Sequence, residues 1–421
     1  MNRDTSTGPR RERTTRDGLR TIAIVLAVGL AGCATTGVVR PAGGLARLID
    51  RPPFDRSLWG VLVVEEDGTV LFERNAGVRM IPASNRKLFA AAAIATCAGL
   101  DRRYVTELRI DGDDLVLVGG ADPAFGSERH ASAGFAPFVD ALRSRGVRSV
   151  RDIIVDVSRF DGVTVPYTWK VGNLPYDYAS PVDAIAWREN ELDTDYSAAD
   201  PALWAGIGLR EALSAAGIPV TGSIRSTRIP AGGEPVATVL SPTTYDLLAT
   251  ILKNSHNLYT EMLYKEIGGG TYAGAEALER ALLVSEAGIG PEEFSFADAS
   301  GLSPDDLVTP RAIVKLLRWM DAPERRAIWW SLLAAPGADG TLGRRLPGLG
   351  PRLRAKTGLV SGVRSLSGIV VTPEGKRRYF AIVVNHHTGP SPVETIDAMV
   401  REVAGDGPTS SRTPPRTSST S

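Results

Sequence analysis

Three short polar stretches, Ser84-Asn85-Arg86-Lys87, Ser255-His256-Asn257 and Lys356-Thr357-Gly358, decide how this sequence of 421 residues is interpreted. Each stretch alone fixes only two or three positions and is a weak signal. Together they contain residue types that a serine acyl-transfer site needs: a serine with a lysine one helical turn later, a second polar pair, and a lysine on a strand. Taken together, they predict a nucleophilic serine.

Lysine is rare in this chain, since only 7 of the 48 basic residues are Lys, which leaves 41 Arg. A guanidinium does not lose its proton in a protein, whereas a lysine amine can be tuned to act as a base. This bias indicates that Lys is kept where Arg cannot replace it. Two of the seven, Lys87 and Lys356, lie inside the three stretches.

Length and composition predict a globular protein of two compact units with tails. A hydrophobic content of 43% and a charged content of 23% are ordinary for such a protein. The formal net charge is zero, which gives no electrostatic footprint for nucleic acid and excludes it as an expected partner. The chain has four His without a clustered ligand pattern, so neither a metal nor a cofactor is predicted.

Residues 1–32 have the features of a secretory signal peptide: an arginine-bearing stretch, then an apolar run too short to span a bilayer. The run ends in Leu30-Ala31-Gly32-Cys33, which resembles the lipobox of bacterial lipoproteins. This predicts lipidation of Cys33, export, and a membrane anchor in the cell envelope or periplasm, with the outer membrane favoured if the cell has one. A chance cysteine near an ordinary cleavage site is the alternative. The other cysteine, Cys97, is expected to be a small buried side chain.

Apolar runs and turn signals divide the rest of the chain into segments. Residues 33–55 are rich in Gly, Ala and Pro and predict a flexible tether. Hairpins are predicted around Asp67-Gly68 and around Pro373-Glu374-Gly375, and helices with apolar residues three and four apart follow Ser241. Residues 106–238 alternate short β-type runs with Gly, Pro and Asp clusters, which predicts an inserted, mostly β subdomain.

These segments predict an α+β fold in which both chain ends build an antiparallel sheet flanked by helices. The domain that contains this sheet comprises residues 56–105 and 239–405, on either side of the insertion at 106–238. Residues 406–421 contain mainly Ser, Thr, Pro and Arg, which predicts a disordered tail.

Ser84 precedes an Ala-rich segment, residues 88–100, that predicts a buried helix, and Lys87 follows one turn later. Helix capping is the alternative for Ser84. A capping box would place Glu or Gln at position 87, and a cation in the first turn opposes the helix dipole. The positive helix end favours a neutral amine. Ser84 is therefore the candidate nucleophile and Lys87 its candidate base.

The second stretch supplies candidate partners for that serine. Ser255 can relay a proton to the leaving amine, and the amide of Asn257 can hold the scissile peptide or the lysine. Both residues precede a predicted helix, so capping competes with these roles. His256 is expected to point away and is not predicted to be a base.

The third stretch lies in a predicted strand, residues 353–359, where a solvated edge lysine is the alternative for Lys356. A glycine such as Gly358 weakens a strand unless something approaches its backbone closely, and a substrate peptide added along the edge is such an object. Lys356 and Thr357 are then expected to bind its terminal carboxylate. The backbone N–H groups of Leu359 and Ser84 are expected to form an oxyanion hole.

The ordered trio resembles that of class A β-lactamases and penicillin-binding proteins. The spacing from Ser84 to Ser255 is 255 − 84 = 171 residues, and an insertion of this kind resembles the penicillin-binding protein 4 type family of D-alanyl-D-alanine carboxypeptidases and endopeptidases. Four further segments match that family: residues 119–123, 156–161, 298–303 and 339–342. Ala121 and Ala299 depart from its pattern, since Gly is usual at both places.

The resemblance implies a β-lactamase/transpeptidase-like fold and hydrolysis of the D-Ala-D-Ala bond of peptidoglycan stem peptides, and also of D-Ala cross-links, through an acyl-Ser84 intermediate. It also implies that β-lactams acylate Ser84 as covalent inhibitors. A β-lactamase-like hydrolase is one alternative, because residues 189–193 resemble its deacylating loop. In class A enzymes, however, the glutamate of that loop follows the S-x-N motif, whereas here the segment precedes Ser255. A catalytically silent, lipid-anchored cell-wall scaffold is the other alternative.

Overall fold

The computed structural model describes residues 42–192, 195–338 and 340–406, whose strands form two five-stranded sheets and one two-stranded sheet. The strands are β1 (Leu58–Glu65), β2 (Val70–Arg74), β3 (Val105–Asp111), β4 (Asp114–Val118), β5 (Ile153–Asp156), β6 (Ile224–Thr227), β7 (Glu234–Leu240), β8 (Phe294–Ser295), β9 (Leu307–Val308), β10 (Leu353–Val360), β11 (Val363–Val371) and β12 (Arg377–Asn385).

Ten α-helices lie within the described ranges, and a π-helical turn, Thr250–Asn254, continues the fifth. The helices are α1 (Ala42–Ile49), α2 (Arg86–Ala98), α3 (Ala136–Ser144), α4 (Pro201–Ala215), α5 (Thr244–Ala249), α6 (Asn257–Ile267), α7 (Tyr272–Ser285), α8 (Pro310–Met320), α9 (Arg326–Leu332) and α10 (Val393–Val403).

The first sheet joins the two ends of the described chain. Its strand order is β10-β11-β12-β1-β2, and every neighbouring pair is antiparallel. Successive side chains of a strand point to opposite faces. In β1, Val61 and Val63 pack in one core with Met399 of α10, whereas Leu62 and Val64 join a larger core that contains α2. The α+β fold with an antiparallel sheet flanked by helices is confirmed.

Helix α2 lies at the centre of the larger core. Its residues Ala90, Ala91, Ala92 and Ala93 have no exposed surface, and α5, α6, α7 and α8 all contact it. Small side chains let these neighbours approach closely, which fixes the start of α2 in space. Cys97 was predicted to be buried and is exposed, because the last turn of α2 leaves the core.

The second sheet lies within residues 105–240 and has the strand order β6-β5-β4-β3-β7. Strands β4, β5 and β6 run parallel, whereas β3 pairs with β4 and with β7 antiparallel. The segment also contains helices α3 and α4, which were not predicted from the sequence. For α4 a signal was present, since Asp200 caps it by accepting a hydrogen bond of 2.9 Å from the Leu203 N–H, and Pro201 occupies its first turn.

The tether predicted for residues 33–55 has to be shortened, because α1 begins at Ala42. Leu45 and Ile49 of α1 are buried in the same core as α10, so a Gly- and Ala-rich segment forms a helix where it finds an apolar surface to cover. The predicted signal peptide, Cys33 and residues 407–421 of the predicted tail lie outside the described residues. In the ranges described, no helix is both long and apolar enough to cross a membrane.

Candidate active site

Ser84 lies in a 3-10 turn, Ala83–Asn85, that leads into α2. The side chain of Ser84 does not cap the helix, because the cap position of α2 is Asn85, which makes no capping hydrogen bond either. The backbone of Ala83 is in the left-handed region, with φ 49°. A Cβ at Gly301 would lie only 2.0 Å from the Ala83 carbonyl oxygen, so this glycine lets the loop of residues 298–303 pack against the serine turn.

The amine of Lys87 is buried and lies within hydrogen-bond distance of three oxygens. They are Ser84 Oγ at 3.1 Å, Asn257 Oδ1 at 2.5 Å and the Ser300 carbonyl oxygen at 2.6 Å. The amide orientation of Asn257 follows from its other contact, since Nδ2 donates to the Tyr178 carbonyl oxygen at 2.6 Å. Two of the three oxygens can only accept. A neutral amine satisfies them with its two N–H groups and directs its lone pair to the hydroxyl of Ser84.

The electrostatics of the site favour that neutral amine. Burial is the largest cause that lowers the pKa of Lys87, to about 7, and the positive charge of Arg86 acts in the same direction. The carboxylates of Asp298, Glu261 and Asp306 oppose the shift. A base whose pKa lies near neutrality is well matched to proton transfer at neutral pH.

Arg86 occupies a variable place of the S-x-x-K pattern and was not predicted to be functional. Its side chain is fully buried, with Nη1 and Nη2 donating to the two carboxylate oxygens of Glu279 at 2.6 and 2.9 Å. Its Nε donates to the Asp298 carbonyl oxygen at 2.8 Å, which ties α2 to the loop that also holds Lys87. The sequence carried no signal for this role, because Arg is the common base throughout the chain.

Ser255 directly follows the π-helical turn and has left-handed backbone angles, φ 66° and ψ 37°. Turns of this kind often mark functional sites. The side chain of Ser255 does not cap α6, whose cap position is His256. Its Oγ instead accepts a hydrogen bond of 2.8 Å from Lys356 Nζ. The structure thus brings Ser255 to Lys356, and Asn257, rather than Ser255, contacts Lys87.

Lys356 is fully buried, so it is not the solvated edge lysine of the alternative interpretation. Burial lowers its pKa well below the ordinary value, and the charge of Lys87 lowers it further. Its Nζ also donates to the Thr357 carbonyl oxygen at 3.0 Å. A positive charge on one lysine disfavours protonation of the other. The state in which only one of the two lysines is charged is therefore favoured over the state in which both are.

Gly358 permits a close approach, but of the protein rather than of a substrate. A Cβ at this position would lie 2.1 Å from Ser365 Oγ and 2.8 Å from the Pro82 carbonyl oxygen. Ser365 Oγ donates to that carbonyl at 2.7 Å, and Asn85 Nδ2 donates to Ser365 Oγ at 2.6 Å. Asn85 also donates to the Lys356 carbonyl oxygen at 3.2 Å. These contacts hold the Ser84 turn against β10 and β11.

Strand β10 is the edge strand of its sheet and offers alternate N–H groups away from β11. The Ala355 N–H donates to the Ala334 carbonyl oxygen at 3.0 Å and so points away from β11. By the two-residue period of the strand, the N–H groups of Thr357 and Leu359 point to the same side. Leu359 and Ser84 both line the same cleft, which is the arrangement that the predicted oxyanion hole requires.

A cleft of about 930 Å³ opens over these groups. Ser84, Ser255, Asn257, Thr357, Gly358 and Leu359 line it, whereas Lys356 does not. The hydroxyl of Thr357 is 2.9 Å from that of Thr341, which also lines the cleft. Thr341 belongs to residues 339–342, one of the four segments that match the family.

The inserted subdomain and the C-terminal part of the chain complete the walls of the cleft. The insertion contributes Lys170, Asn173 and Tyr178, and the C-terminal part contributes Arg345 and Arg364. No Asp or Glu is among the lining residues that the structure describes. Arg345 is paired with a carboxylate outside the lining, at 2.5 Å, whereas Lys170 and Arg364 form no ion pair with the described residues. Such a lining favours substrates that carry carboxylates.

Glu189, the residue that suggested a β-lactamase, does not line the cleft. Its side chain is buried, and its Oε2 lies 3.3 Å from the Nε2 of His256. His256 points to Glu189 and not to Ser84, as expected. This carboxylate lies outside the cleft lining and is occupied by protein donors, unlike a glutamate that activates water at an acyl-serine ester.

The site has the parts of a serine acyl-transfer enzyme whose base is a buried lysine. Residues 42–197 and 185–404 match the model of the D-Ala-D-Ala carboxypeptidase 3 (S13) family, so the chain belongs to this family, as predicted. It is 28% identical over 454 residues to a D-alanyl-D-alanine carboxypeptidase of an Actinomadura species, an alignment that covers 85% of this chain and 83% of the relative. Carboxypeptidase DacB of Mycolicibacterium smegmatis is 27% identical over 369 residues, covering 81% and 78%.

Solved structures show the same fold. Penicillin binding protein 4 of Haemophilus influenzae matches with a TM-score of 0.75 at 20% identity, covering 86% of this chain and 97% of that chain. A predatory peptidoglycan endopeptidase of Bdellovibrio bacteriovorus matches with a TM-score of 0.55 at 16% identity, covering 84% and 94%.

Proposed function

We propose that this protein is a serine-type D-Ala-D-Ala carboxypeptidase that acts on peptidoglycan stem peptides through an acyl-Ser84 intermediate. The observation that carries the proposal is the position of Ser84 Oγ, 3.1 Å from a buried amine whose other two partners can only accept hydrogen bonds. Family membership and the names of the relatives support the substrate class.

Acylation begins with attack of Ser84 Oγ on the carbonyl carbon of the penultimate D-Ala while Lys87 Nζ takes the hydroxyl proton. The N–H groups of Ser84 and Leu359 stabilise the negative charge on the carbonyl oxygen. As the peptide C–N bond breaks, the leaving amine takes a proton from Ser255 Oγ, which is replenished by the ammonium of Lys356. The released product is D-Ala.

Deacylation uses the same groups in the opposite direction. Water takes the place of the departed amine and gives its proton through Ser255 to Lys356, while its oxygen bonds to the acyl carbon. Ser84 Oγ takes back its proton from Lys87 as the ester bond breaks. The cycle therefore returns both lysines to their starting states, and it needs no cofactor.

We assign the terminal carboxylate of the substrate to the hydroxyls of Thr357 and Thr341. Lys356 was predicted to bind this carboxylate directly, but its side chain is fully buried, donates to Ser255 Oγ and does not line the cleft. Its charge still attracts the carboxylate through Thr357 and Ser255.

The decisive experiment incubates the purified protein with a muropeptide ending in D-Ala-D-Ala and follows D-Ala release by mass spectrometry. The expected result is release by the wild type and none by Ser84→Ala. The same assay with a dimer joined through a D-Ala cross-link measures endopeptidase activity. Rapid turnover of a chromogenic cephalosporin would instead favour the β-lactamase, and failure of fluorescent penicillin to label the protein would favour the silent scaffold.

Export as a lipoprotein is also part of the proposal, supported by the signal-like residues 1–32 and the Leu-Ala-Gly-Cys sequence that ends at Cys33. The protein then lies in the periplasm or cell envelope, on the membrane that faces its substrate. Metabolic labelling with a fatty acid tests this, with Cys33→Ser expected to abolish the label. Cys97→Ser is the matched control, and a label that survives Cys33→Ser contradicts the anchor.

A further inference from the structure

The inserted subdomain reaches the catalytic groups through a strained segment. Arg188, Glu189 and Asn190 are consecutive residues other than glycine, and all three have left-handed backbones, with φ of 50°, 58° and 58°. Residues in this region persist only where their surroundings hold them, and such strain collects at functional sites. The contacts of its side chains therefore bear on function.

The carboxylate of Glu189 is more than nine-tenths buried and accepts hydrogen bonds from several elements. Its Oε1 accepts from Ser127 Oγ at 2.6 Å and from the hydroxyl of Tyr259 at 2.7 Å, and Arg129 Nε lies 3.4 Å away. Its Oε2 faces His256 Nε2 at 3.3 Å. Burial alone raises the pKa of Glu189, but these contacts outweigh burial and hold it well below its usual range, so Glu189 is a carboxylate.

His256 connects that carboxylate to the catalytic turn, because it is the residue between Ser255 and Asn257. Its ring packs on Tyr259 with centroids 4.2 Å apart, and its carbonyl oxygen accepts from Thr260 Oγ1 at 2.7 Å. A carboxylate can only accept, so His256 Nε2 must carry the hydrogen of this contact. The side chains on either side of His256 contact Lys356 and Lys87.

We propose that Glu189 is a positioning residue for acylation: through His256 it holds the strained turn that presents Ser255 to Lys356 and Asn257 to Lys87. Without this anchor, the left-handed backbone of Ser255 can relax to a more favourable conformation. Such a relaxation moves both catalytic contacts at once. Through this one contact, the insertion helps to position two catalytic side chains.

A metal ion is the other interpretation of this cluster, because ligand atoms of Glu189, Glu191 and His256 lie within 4.8 Å of one another. Both oxygens of Glu189 already have protein donors within hydrogen-bond distance. The carboxylate is satisfied by these donors, so the contacts favour an anchor over a ligand.

The test rests on the proposed function and uses the full chain, measuring the first-order acylation constant and the binding constant for fluorescent penicillin separately. We expect Glu189→Gln and His256→Ala each to lower the acylation constant by about tenfold to a hundredfold and to leave binding unchanged, because displacements near 1 Å cost this much. His256→Gln should stay within about threefold of wild type, because its amide can donate to the carboxylate. Glu128→Gln, which removes an exposed acid paired at 3.5 Å with Arg188, is the control and should behave as wild type.

The double variant Glu189→Gln/His256→Ala should acylate no more slowly than His256→Ala, because both changes break the same contact, that between Glu189 and His256. Circular dichroism and thermal unfolding establish that each variant is folded; should Glu189→Gln not fold, the comparison of His256→Ala with His256→Gln decides alone. Unchanged acylation by folded His256→Ala, or equal defects in His256→Ala and His256→Gln, overturns the proposal. A wild type that penicillin does not acylate instead refutes the proposed function.

Discussion

Lys356 Nζ donates a hydrogen bond of 2.8 Å to the hydroxyl of Ser255, so each of the two buried lysines contacts a different serine. Lys87 is placed to take a proton from Ser84, and Lys356 is placed to supply one through Ser255. This division explains why both lysines are excluded from water. Deprotonating one of the two lysines raises the pKa of the other.

Replacing Lys87 by Arg keeps a cation but removes the base. We expect acylation by penicillin to fall by about 10²- to 10⁴-fold, the usual contribution of a general base, because a guanidinium does not accept the proton of Ser84. Stopped-flow or gel-based labelling measures this loss. Lys376→Arg, at an exposed lysine, is the control and should acylate normally. Equal rates in wild type and Lys87→Arg would falsify the assignment of the base.

The pH dependence of acylation follows from the pKa of Lys87, which burial lowers to about 7. Only the neutral amine accepts a proton, so the second-order acylation constant should rise with pH and level off above about 7. The residual rate of Lys87→Arg should lack this rise. A wild-type profile that is flat from about pH 6 to about pH 9 contradicts an amine that titrates in this range.

Gly358→Ala should separate the Ser84 turn from the sheet. The new Cβ would lie 2.1 Å from Ser365 Oγ and 2.8 Å from the Pro82 carbonyl oxygen. Because Pro82 is part of the backbone that leads into the Ser84 turn, moving this oxygen away also moves Ser84. We expect acylation to fall by about 10²-fold through displacement of the nucleophile. Gly348→Ala is the matched control, because nothing lies within 4 Å of its Cβ. Normal acylation by Gly358→Ala would show that the turn is held by other contacts.

Asp122→Asn should stabilise the protein at alkaline pH. Asp122 is buried, its Oδ1 accepts from the Ala124 N–H at 2.8 Å, and its Oδ2 has no partner among the described residues. Burial raises its pKa from 3.8 to about 7. The folded state therefore binds the proton more tightly than the unfolded state, and this contribution to stability is present below pH 3.8 and lost as the pH rises through about 7.

An amide at position 122 does not ionise, so it avoids the cost of burying a charged carboxylate. The free energy of unfolding at pH 8 should therefore rise by about 1–3 kcal/mol in Asp122→Asn, with a smaller gain at low pH. Denaturant unfolding at both pH values measures the difference. Asp113→Asn, at an exposed acid, should show no pH-dependent gain. A loss of stability in Asp122→Asn at pH 8 contradicts a costly buried carboxylate.

Local patterns predicted the parts of this protein that depend on neighbours in the chain. Turn signals located two of the three hairpins of the first sheet, β1-β2 and β11-β12, but not β10-β11, and apolar spacing predicted the helices that follow Ser241. The same rules missed α1, whose helix depends on the distant surface of α10. Cys97 was misplaced because helical spacing does not show where a helix leaves its core.

The candidate site was predicted as a set of residues but not as a set of contacts. The pattern indicated Ser84 with Lys87, because one helical turn relates them. It could not show that Ser255 contacts Lys356, a residue 101 positions away, or that Gly358 accommodates the Ser84 turn. Glu189 suggested a deacylating loop by its neighbours in sequence, whereas its contact with His256 arises only from folding.

The mass of the peptide that contains Ser84, measured after the protein has reacted with benzylpenicillin, shows whether Ser84 is the nucleophile. One adduct on Ser84 is expected, absent in Ser84→Ala and formed far more slowly in Lys87→Arg. An adduct on another residue, or release of D-Ala from a stem peptide that persists in Ser84→Ala, would contradict this role of Ser84.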